Sequence, residues 1–337
     1  MSAGVGARPG RLGVGVVGAG RVGAVLGSAL RAAGHAVVGA SGVSAASRER
    51  IDTLLPGVPL LEVPDVVERA ELVVLAVPDD ALAAVVEGLA TTGAWQPGQI
   101  VLHTSGRYGA SVLDPARQRG AIPLAVHPAM TFTGTSLDLA RLEGTTFAVT
   151  APGPVLPIGQ ALVVEIGGEP VVVDEAARGL YHAGLAHGAN HLVVLVAQAA
   201  QALAAAGVER PGRVLEPLLG AALDGALRAA DSGTAAPLEP LEPLTDAEVD
   251  LTDDLPAARD GSPGAIAALT GPVARGDVGT VVEHLRVLEE LATTQGATDV
   301  PASYRELARA ATRRTLATAR IDRHQAQGLL DALEEDE

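Results

Sequence analysis

Residues 12–35 read LGVGVVGAGRVGAVLGSALRAAGH, and the order of residue types in this stretch leaves few folds open. A β-type apolar run over 12–17 meets Gly18-Ala19-Gly20-Arg21-Val22-Gly23. Val22, Val25, Leu26, Ala29 and Leu30 then recur at helical spacing up to a stop at Gly34. Arg8 and Arg11 before an apolar, small-residue run resemble a secretion signal, but Arg21 breaks the continuous apolar core that such a signal needs. The parse is strand, glycine turn, helix.

The same alternation continues for about the first 150 residues, the size of one domain. Strands are expected at 36–40, 71–77, 99–104, 122–126 and 146–150, with a further candidate at 59–63 and a helix around 47–55. The run Glu71-Leu72-Val73-Val74-Leu75-Ala76-Val77 is apolar without a break, as in a parallel strand covered on both faces, and Pro78-Asp79-Asp80 opens the next helix. This pattern predicts an α/β, doubly wound parallel sheet.

Inside such a sheet the glycine turn has a chemical meaning. Its first glycine permits the tight turn, the second lets a pyrophosphate approach the backbone, and the third packs helix on strand, with the phosphate resting on the helix N-terminus. NAD sites place an acid about 20 residues further on to hold the ribose hydroxyls. The corresponding stretch here, Ala40-Ser41-Gly42-Val43-Ser44-Ala45-Ala46-Ser47-Arg48, has no acid. Its serines and Arg48 suit a 2′-phosphate, so NADP (NADPH) is the expected cofactor; the serines equally suit a turn and a helix cap. The cofactor residues are then Gly18, Gly20, Arg21, Val22, Gly23, Ser41, Arg48, Val77, Pro78 and Thr104.

Composition removes several alternatives. The chain has 337 residues, no Cys and a net charge of −16, which opposes nonspecific nucleic-acid or anionic-membrane binding and excludes thiolate chemistry. All 24 basic residues are Arg, so no lysine can serve as general acid or Schiff base. Two Phe, three Tyr and one Trp leave no stacking platform for single-stranded nucleic acid. A cytoplasmic location is expected. The long apolar stretch 180–207 is interrupted by His182, His187, Asn190, His191, Gln198 and Gln201, which reads as a buried helix rather than a membrane span.

Four motifs carry a family resemblance: the glycine turn, Leu75-Ala76-Val77-Pro78-Asp79-Asp80, His103-Thr104-Ser105-Gly106 and His127-Pro128-Ala129-Met130-Thr131-Phe132. With Tyr181-His182 and Asn190 on a long Ala/Val helix, Gly271-Pro272-Val273-Ala274-Arg275-Gly276-Asp277 and His284, the chain resembles Rossmann-like proteins with a C-terminal domain of unknown function 2520. The resemblance implies an N-terminal Rossmann NADP-binding domain and a mainly α-helical C-terminal domain of the 6-phosphogluconate-dehydrogenase-like kind. It also implies kinship with pyrroline-5-carboxylate reductases and F420-dependent NADP reductases, and names no substrate. The expected organisation is a flexible arm at 1–10, the Rossmann domain at 11–151, and a helical substrate and dimerisation domain at 152–333, with an acidic flexible insert at 231–263.

The second half reads as a helix at 154–166, a short strand at 169–173 and one long helix over 174–207 that is apolar nearly all round. A helix of that kind must be covered by its own domain or by a partner, and a homodimer is expected. Ligands of an open α/β sheet lie beyond the carboxyl ends of its strands, which makes His103 and His127 candidate proton donors, although a structural hydrogen bond at a strand end suits each of them somewhat better. Asn190 is a candidate substrate-orienting group, and Ser105, Tyr181, His182 and Arg275 are candidate substrate contacts. Arg275 could clamp a carboxylate or merely pair with a helix-capping Asp277. His187 and His191 have metal-ligand spacing but no third ligand, so no metal is expected. The absence of lysine favours an imine or small carbonyl substrate, because an iminium already carries its proton. The alternatives are a nucleotide-sensing, partner-binding protein without turnover and an F420-dependent reductase.

Overall fold

The computed structural model describes residues 11–231 and 264–334. The expected arm at 1–10, residues 232–263 of the expected insert and the last three residues lie outside the described residues.

The chain divides into two compact units between Asn190 and His191. The first follows the order β1 (Gly13–Val17), α1 (Arg21–Ala32), β2 (Ala36–Ser41), α2 (Ala45–Leu54), α3 (Val63–Arg69), β3 (Leu72–Leu75), α4 (Asp79–Thr91) and β4 (Ile100–His103). It continues with α5 (Asp114–Arg117), β5 (Ile122–Pro128), α6 (Leu137–Leu142), β6 (Thr146–Thr150), α7 (Leu156–Glu165) and β7 (Glu169–Val172). The strands form one seven-stranded sheet in the order β2-β1-β3-β4-β5-β6-β7. All neighbours are parallel except β5 and β6, which run antiparallel with His127 opposite Ala148. The sheet thus continues past residue 151, because β7 pairs with β6 and α7 buries Leu162 and Val163 in the same core.

Helices cover both faces, as the unbroken apolar strands require. Val16, Leu26, Val74, Leu102, Phe147 and Leu162 share one core cluster; Val17, Val73, Leu75, Val86, Trp95 and Val101 share the other. Each such side chain contributes about 1.5–3 kcal/mol by leaving water. The strand candidate at 59–63 is not a strand and makes only the bridge between Ala40 and Leu60. Pro59 has no N–H for a ladder, and Pro64 in the first turn of α3 presets the helical φ.

Helix α8 (Arg178–Ala205) crosses the boundary, and α9 (Pro211–Asp231), α10 (Val278–Gln295), α11 (Asp299–Ala317) and α12 (Arg323–Ala332) complete the second unit. Val281, Leu285, Ala308, Ile321, Leu329 and Leu333 form its core. The buried Gln198 amide donates to Asp299 and Ser303, tying α8 to α11. Asp322 and Gln325 close a capping box at the start of α12.

The expectation of a buried long helix is corrected. Leu180 is 80 % exposed and Val193 69 %, and α9 adds Leu218 at 64 % and Leu227 at 58 %. The apolar residues of α8 are distributed around the whole helix, so packing one stripe leaves the others in water. By length and hydropathy, Glu175–Ala205 is also the one helix among the described residues able to cross a membrane.

Candidate active site

The three glycines after β1 have three distinct surroundings. Gly18 sits at φ +86°, and a Cβ there would lie 2.7 Å from the Ala76 carbonyl oxygen. Gly23 has no room either, since its Cβ would lie 2.3 Å from the Gly18 oxygen. Gly20, the N-cap of α1, faces open space, its nearest neighbour being the Gly18 oxygen at 4.0 Å, and no side chain caps the helix there. Backbone N–H groups and the positive end of the helix dipole are therefore presented at the one glycine that a pyrophosphate could approach.

The serines at the end of β2 and just beyond it are committed to the backbone. Ser41 Oγ accepts from Gly18 N–H at 3.2 Å, Ser44 Oγ caps α2 by accepting from Ser47 N–H at 3.1 Å, and Ser47 Oγ donates to the Ser44 carbonyl at 2.7 Å. Arg48 remains exposed with its Nε donating to the Gly42 carbonyl at 3.4 Å. Two further arginines converge nearby: a Cβ on Gly134 would meet Arg50 Nε at 2.7 Å and Arg21 Cγ at 2.9 Å. That loop is held by the fully buried Asp138, which accepts from Thr133 N–H at 2.8 Å, Gly134 N–H at 2.7 Å and the Thr133 hydroxyl at 2.9 Å. Burial pushes the Asp138 carboxyl up, and these hydrogen bonds outweigh it, holding it below its ordinary value. Arg50 was not singled out in the sequence because no motif includes it. Val77 packs against the glycine turn, Pro78 caps α4, and Thr104 N–H donates to the Leu75 carbonyl.

At the end of β4, His103 is completely buried with both ring nitrogens engaged. Nε2 lies 2.8 Å from the Gly109 carbonyl, and Nδ1 accepts from Ser105 N–H at 3.2 Å. Burial, with a smaller push from Arg178, lowers its pKa to about 4, so it is a neutral Nε2–H tautomer. Ser105 Oγ accepts from Tyr108 N–H at 3.2 Å. Both residues shape the 103–109 loop, and of the two readings open for His103 the geometry favours the structural one.

His127 is differently placed. Its Nδ1 lies 2.9 Å from the Tyr181 hydroxyl, the two rings meet edge-on at 5.6 Å, and His182 meets His127 edge-on at 6.1 Å. Gly106 makes room for this cluster, for a Cβ there would lie 2.6 Å from His182 Cδ2 and 2.9 Å from His127 Nε2. Burial, then Arg178 and His182, lower the His127 pKa to about 4. A neutral ring can accept the phenol proton at Nδ1, or donate from Nδ1 and leave that proton free for another acceptor. Burial raises the Tyr181 pKa while Arg178 opposes the rise.

The start of α8 is pinned by Glu175, which accepts from Ala110 N–H at 2.8 Å, Ser111 N–H at 3.2 Å and the Ser111 hydroxyl at 2.6 Å. Gly109 permits this, as a Cβ there would lie 2.2 Å from the carboxylate. A cavity of about 420 Å³ beside Glu175 is lined by Ser111, Asp114, Arg117, Thr150 and Asp174. Of its three carboxylates, Glu175 and Asp114 are engaged by neighbours, Asp114 by Arg117 Nε at 2.8 Å.

Asn190 is exposed and lies nine residues beyond Tyr181, which at about 100° per residue is half a turn away on α8. Arg275 belongs to the second unit, where Asp277 caps α10 by accepting from Thr280 N–H at 3.1 Å. Hydrogen bonds from Thr280, then the Arg275 charge, hold the Asp277 carboxyl below its ordinary value. His187 and His191 are exposed on α8, and among the described residues no group of three His, Cys, Asp or Glu could hold a metal.

A model for a Rossmann-like domain matches residues 2–128, and one for the domain of unknown function 2520 matches 145–239 and 231–311. No protein of curated function matches the chain. A solved structure from Bacteroides fragilis, assigned as an NADP oxidoreductase, is similar with a TM-score of 0.62 at 19 % identity, covering 89 % of this chain and 98 % of its own. Imine reductase from Pseudomonas sp. gives 0.58 at 15 %, covering 96 % and 100 %, and imine reductase from Myxococcus stipitatus in complex with NADP+ gives 0.58 at 17 %, covering 94 % and 99 %. At such identities the likeness establishes the fold. The chain belongs to the proteins that join a Rossmann-like domain to the domain of unknown function 2520.

Proposed function

We propose that the protein is an NADP-dependent oxidoreductase that reduces a small imine or carbonyl compound. The observation that carries this reading is the Tyr181–His127 pair at the carboxyl end of β5, in the same unit as the open glycine cradle at the end of β1. Gly18, Gly20 and Gly23 with the α1 N-terminus would hold the pyrophosphate, and Arg48, supported by Arg21 and Arg50, the 2′-phosphate. Bound there, the nicotinamide supplies a hydride. Tyr181 delivers the proton to the substrate nitrogen or oxygen, and neutral His127 orients the phenol and holds its oxygen through Nδ1. His182 closes the far side of the imidazole, and His103 fixes the loop carrying Thr104 and Ser105. The similarity to structures described as an NADP oxidoreductase and as imine reductases supports this reading.

Calorimetric titration with NADPH and NADH tests it first. NADPH is expected to bind more tightly, and Arg48→Ala to weaken it about 10- to 100-fold with little effect on NADH, as for loss of one charge-assisted hydrogen bond. Binding of neither nucleotide overturns the reading; NADPH binding without turnover on imines and ketones moves the protein to the nucleotide-sensing class. The exposed apolar belt on α8 and α9 is assigned to a second copy of the chain, as a homodimer.

A further inference from the structure

Arg178 carries a charge that the reaction above leaves unused. It is 1 % exposed, yet its hydrogen bonds go to neutral oxygens: Nε to the Thr150 hydroxyl at 2.9 Å and one Nη to the Ala148 carbonyl at 3.4 Å. The other Nη has no partner and is closed to solvent, so it cannot hold a substrate anion. Glu175, three residues earlier, has its carboxylate engaged by Ala110 and Ser111. Arg305 also has a partnerless buried nitrogen, but that side chain is ion-paired with Glu289. A guanidinium buried among neutral oxygens is costly, and an apolar side chain would fill the space without that cost.

The charge faces the proton donor. The guanidinium carbon lies 6.0 Å from the Tyr181 ring centroid, one turn along α8, and Ala148 stands opposite His127 in the sheet. We propose that Arg178 is a positioning charge whose buried guanidinium stabilises the Tyr181 phenolate. The catalytic meaning of this inference rests on the reductase reading; the ionisation itself does not. On that reading a nicotinamide held at the glycine cradle would supply the hydride and its electron pair to the substrate carbon, while the Tyr181 O–H bond breaks and its proton passes to the substrate nitrogen or oxygen. The phenolate left behind is held by His127 Nδ1–H and the Arg178 field until water reprotonates it. Among the described residues Arg178 is the one charge acting directly on Tyr181; His127 is its hydrogen-bond partner, and His182, His103, Glu175 and Asp79 act on His127, His103 or Arg178. His103 and His127 are uncharged at neutral pH; Glu175 favours the charged forms of Arg178 and His103, and Asp79 those of His103 and His127.

The chain contains its own control. Tyr304 is likewise half-buried and hydrogen-bonded to a histidine, with its hydroxyl 2.9 Å from His284 Nδ1 and the rings edge-on at 5.7 Å. Burial alone raises its pKa, with no arginine opposing. The experiment is an ultraviolet tyrosinate titration of the full chain without substrate or nucleotide, with Tyr181→Phe and Tyr304→Phe subtracted to isolate each phenol. Tyr181 is expected to ionise at lower pH than Tyr304. Arg178→Gln should move Tyr181 upward by about one pH unit or more, the size expected of a nearby opposite charge, and Arg178→Lys should leave it near the wild-type value. Tyr181 ionising at or above Tyr304 overturns the proposal, and needs no Arg178 variant to fold; so does an unmoved Tyr181 titration in folded Arg178→Gln. Absence of turnover on every substrate removes the reductase reading and leaves this titration as it is.

Discussion

Replacing Gly23 by alanine adds one methyl group, and its effect follows from two opposing quantities. Alanine in a helix interior gains about 0.5–1 kcal/mol over glycine. Against this, the new Cβ would stand 2.3 Å from the Gly18 carbonyl oxygen and 3.0 Å from Ala76 Cβ, where ordinary C···O contact begins near about 3.3 Å. Neither neighbour can retreat: Gly18 is held at φ +86° with its N–H on Ser41, and Ala76 is tied to β1 by its N–H on the Val17 carbonyl at 2.9 Å. Overpacking costs about 1–3 kcal/mol, and a 2.3 Å approach to backbone belongs at the upper end of that range, so after the helix gain the net loss is roughly 2 kcal/mol. For a unit of this size that lowers the melting temperature by about 4–8 °C. Gly88, exposed on α4 with nothing within 4 Å of its Cβ position, is the control, and Gly88→Ala should raise it by about 1–4 °C. Trp95 is the only tryptophan and is buried in the sheet unit, so its fluorescence reports that unit's melt. Gly23→Ala melting at or above wild type refutes the reasoning.

Two further outcomes follow from the same structure. His103 and His127 ionise near pH 4 when folded and near 6.5 when unfolded, so between these values the unfolded chain binds more protons. Stability therefore falls on acidification through that window, by at most on the order of 3 kcal/mol per histidine; urea midpoints that do not move between neutral pH and the lower end of the window contradict it. Sedimentation should show a dimer that Val193→Glu with Leu218→Glu converts to monomer. A wild-type monomer, or one soluble only in detergent, rejects the assignment of the α8–α9 belt to a second copy.

How much of this was legible in the sequence depends on how local each cause is. The glycine turn and the β3 run were readable because every contact that fixes them lies in neighbouring elements of one strand–turn–helix unit or its adjoining strand. The 59–63 strand was misread where two prolines outweighed β-type neighbours. Ser44 and Ser47, assigned to the region of a 2′-phosphate, are a cap at the three-residue spacing that marks caps. His127 and Tyr181 were each named, but 54 residues separate them, and only the β5 register and the Glu175 anchor at the start of α8 bring them together. Arg178 had one faint signal, an arginine one helical turn before a tyrosine. The burial that gives it meaning is set by β6, far away in sequence.

The structure also changes what the missing lysine implies. In the sequence, absence of a lysine acid favoured an imine, since a protonated imine needs no donor from the protein. In the proposed mechanism Tyr181 is the donor, so ketones are no longer disfavoured, and the two substrate classes make different demands on that phenol. A ketone becomes an alkoxide unless a proton arrives with the hydride, so Tyr181→Phe should lower its turnover by about 10²–10⁴-fold, the usual contribution of a positioned acid. An imine basic enough to enter protonated brings its own proton and should lose about tenfold or less, chiefly through poorer orientation. Steady-state rates of NADPH oxidation by wild type and Tyr181→Phe on a matched cyclic imine and ketone decide the matter. Equal losses on both would show that Tyr181 orients substrate without supplying the proton. A ketone-selective loss would identify it as the acid.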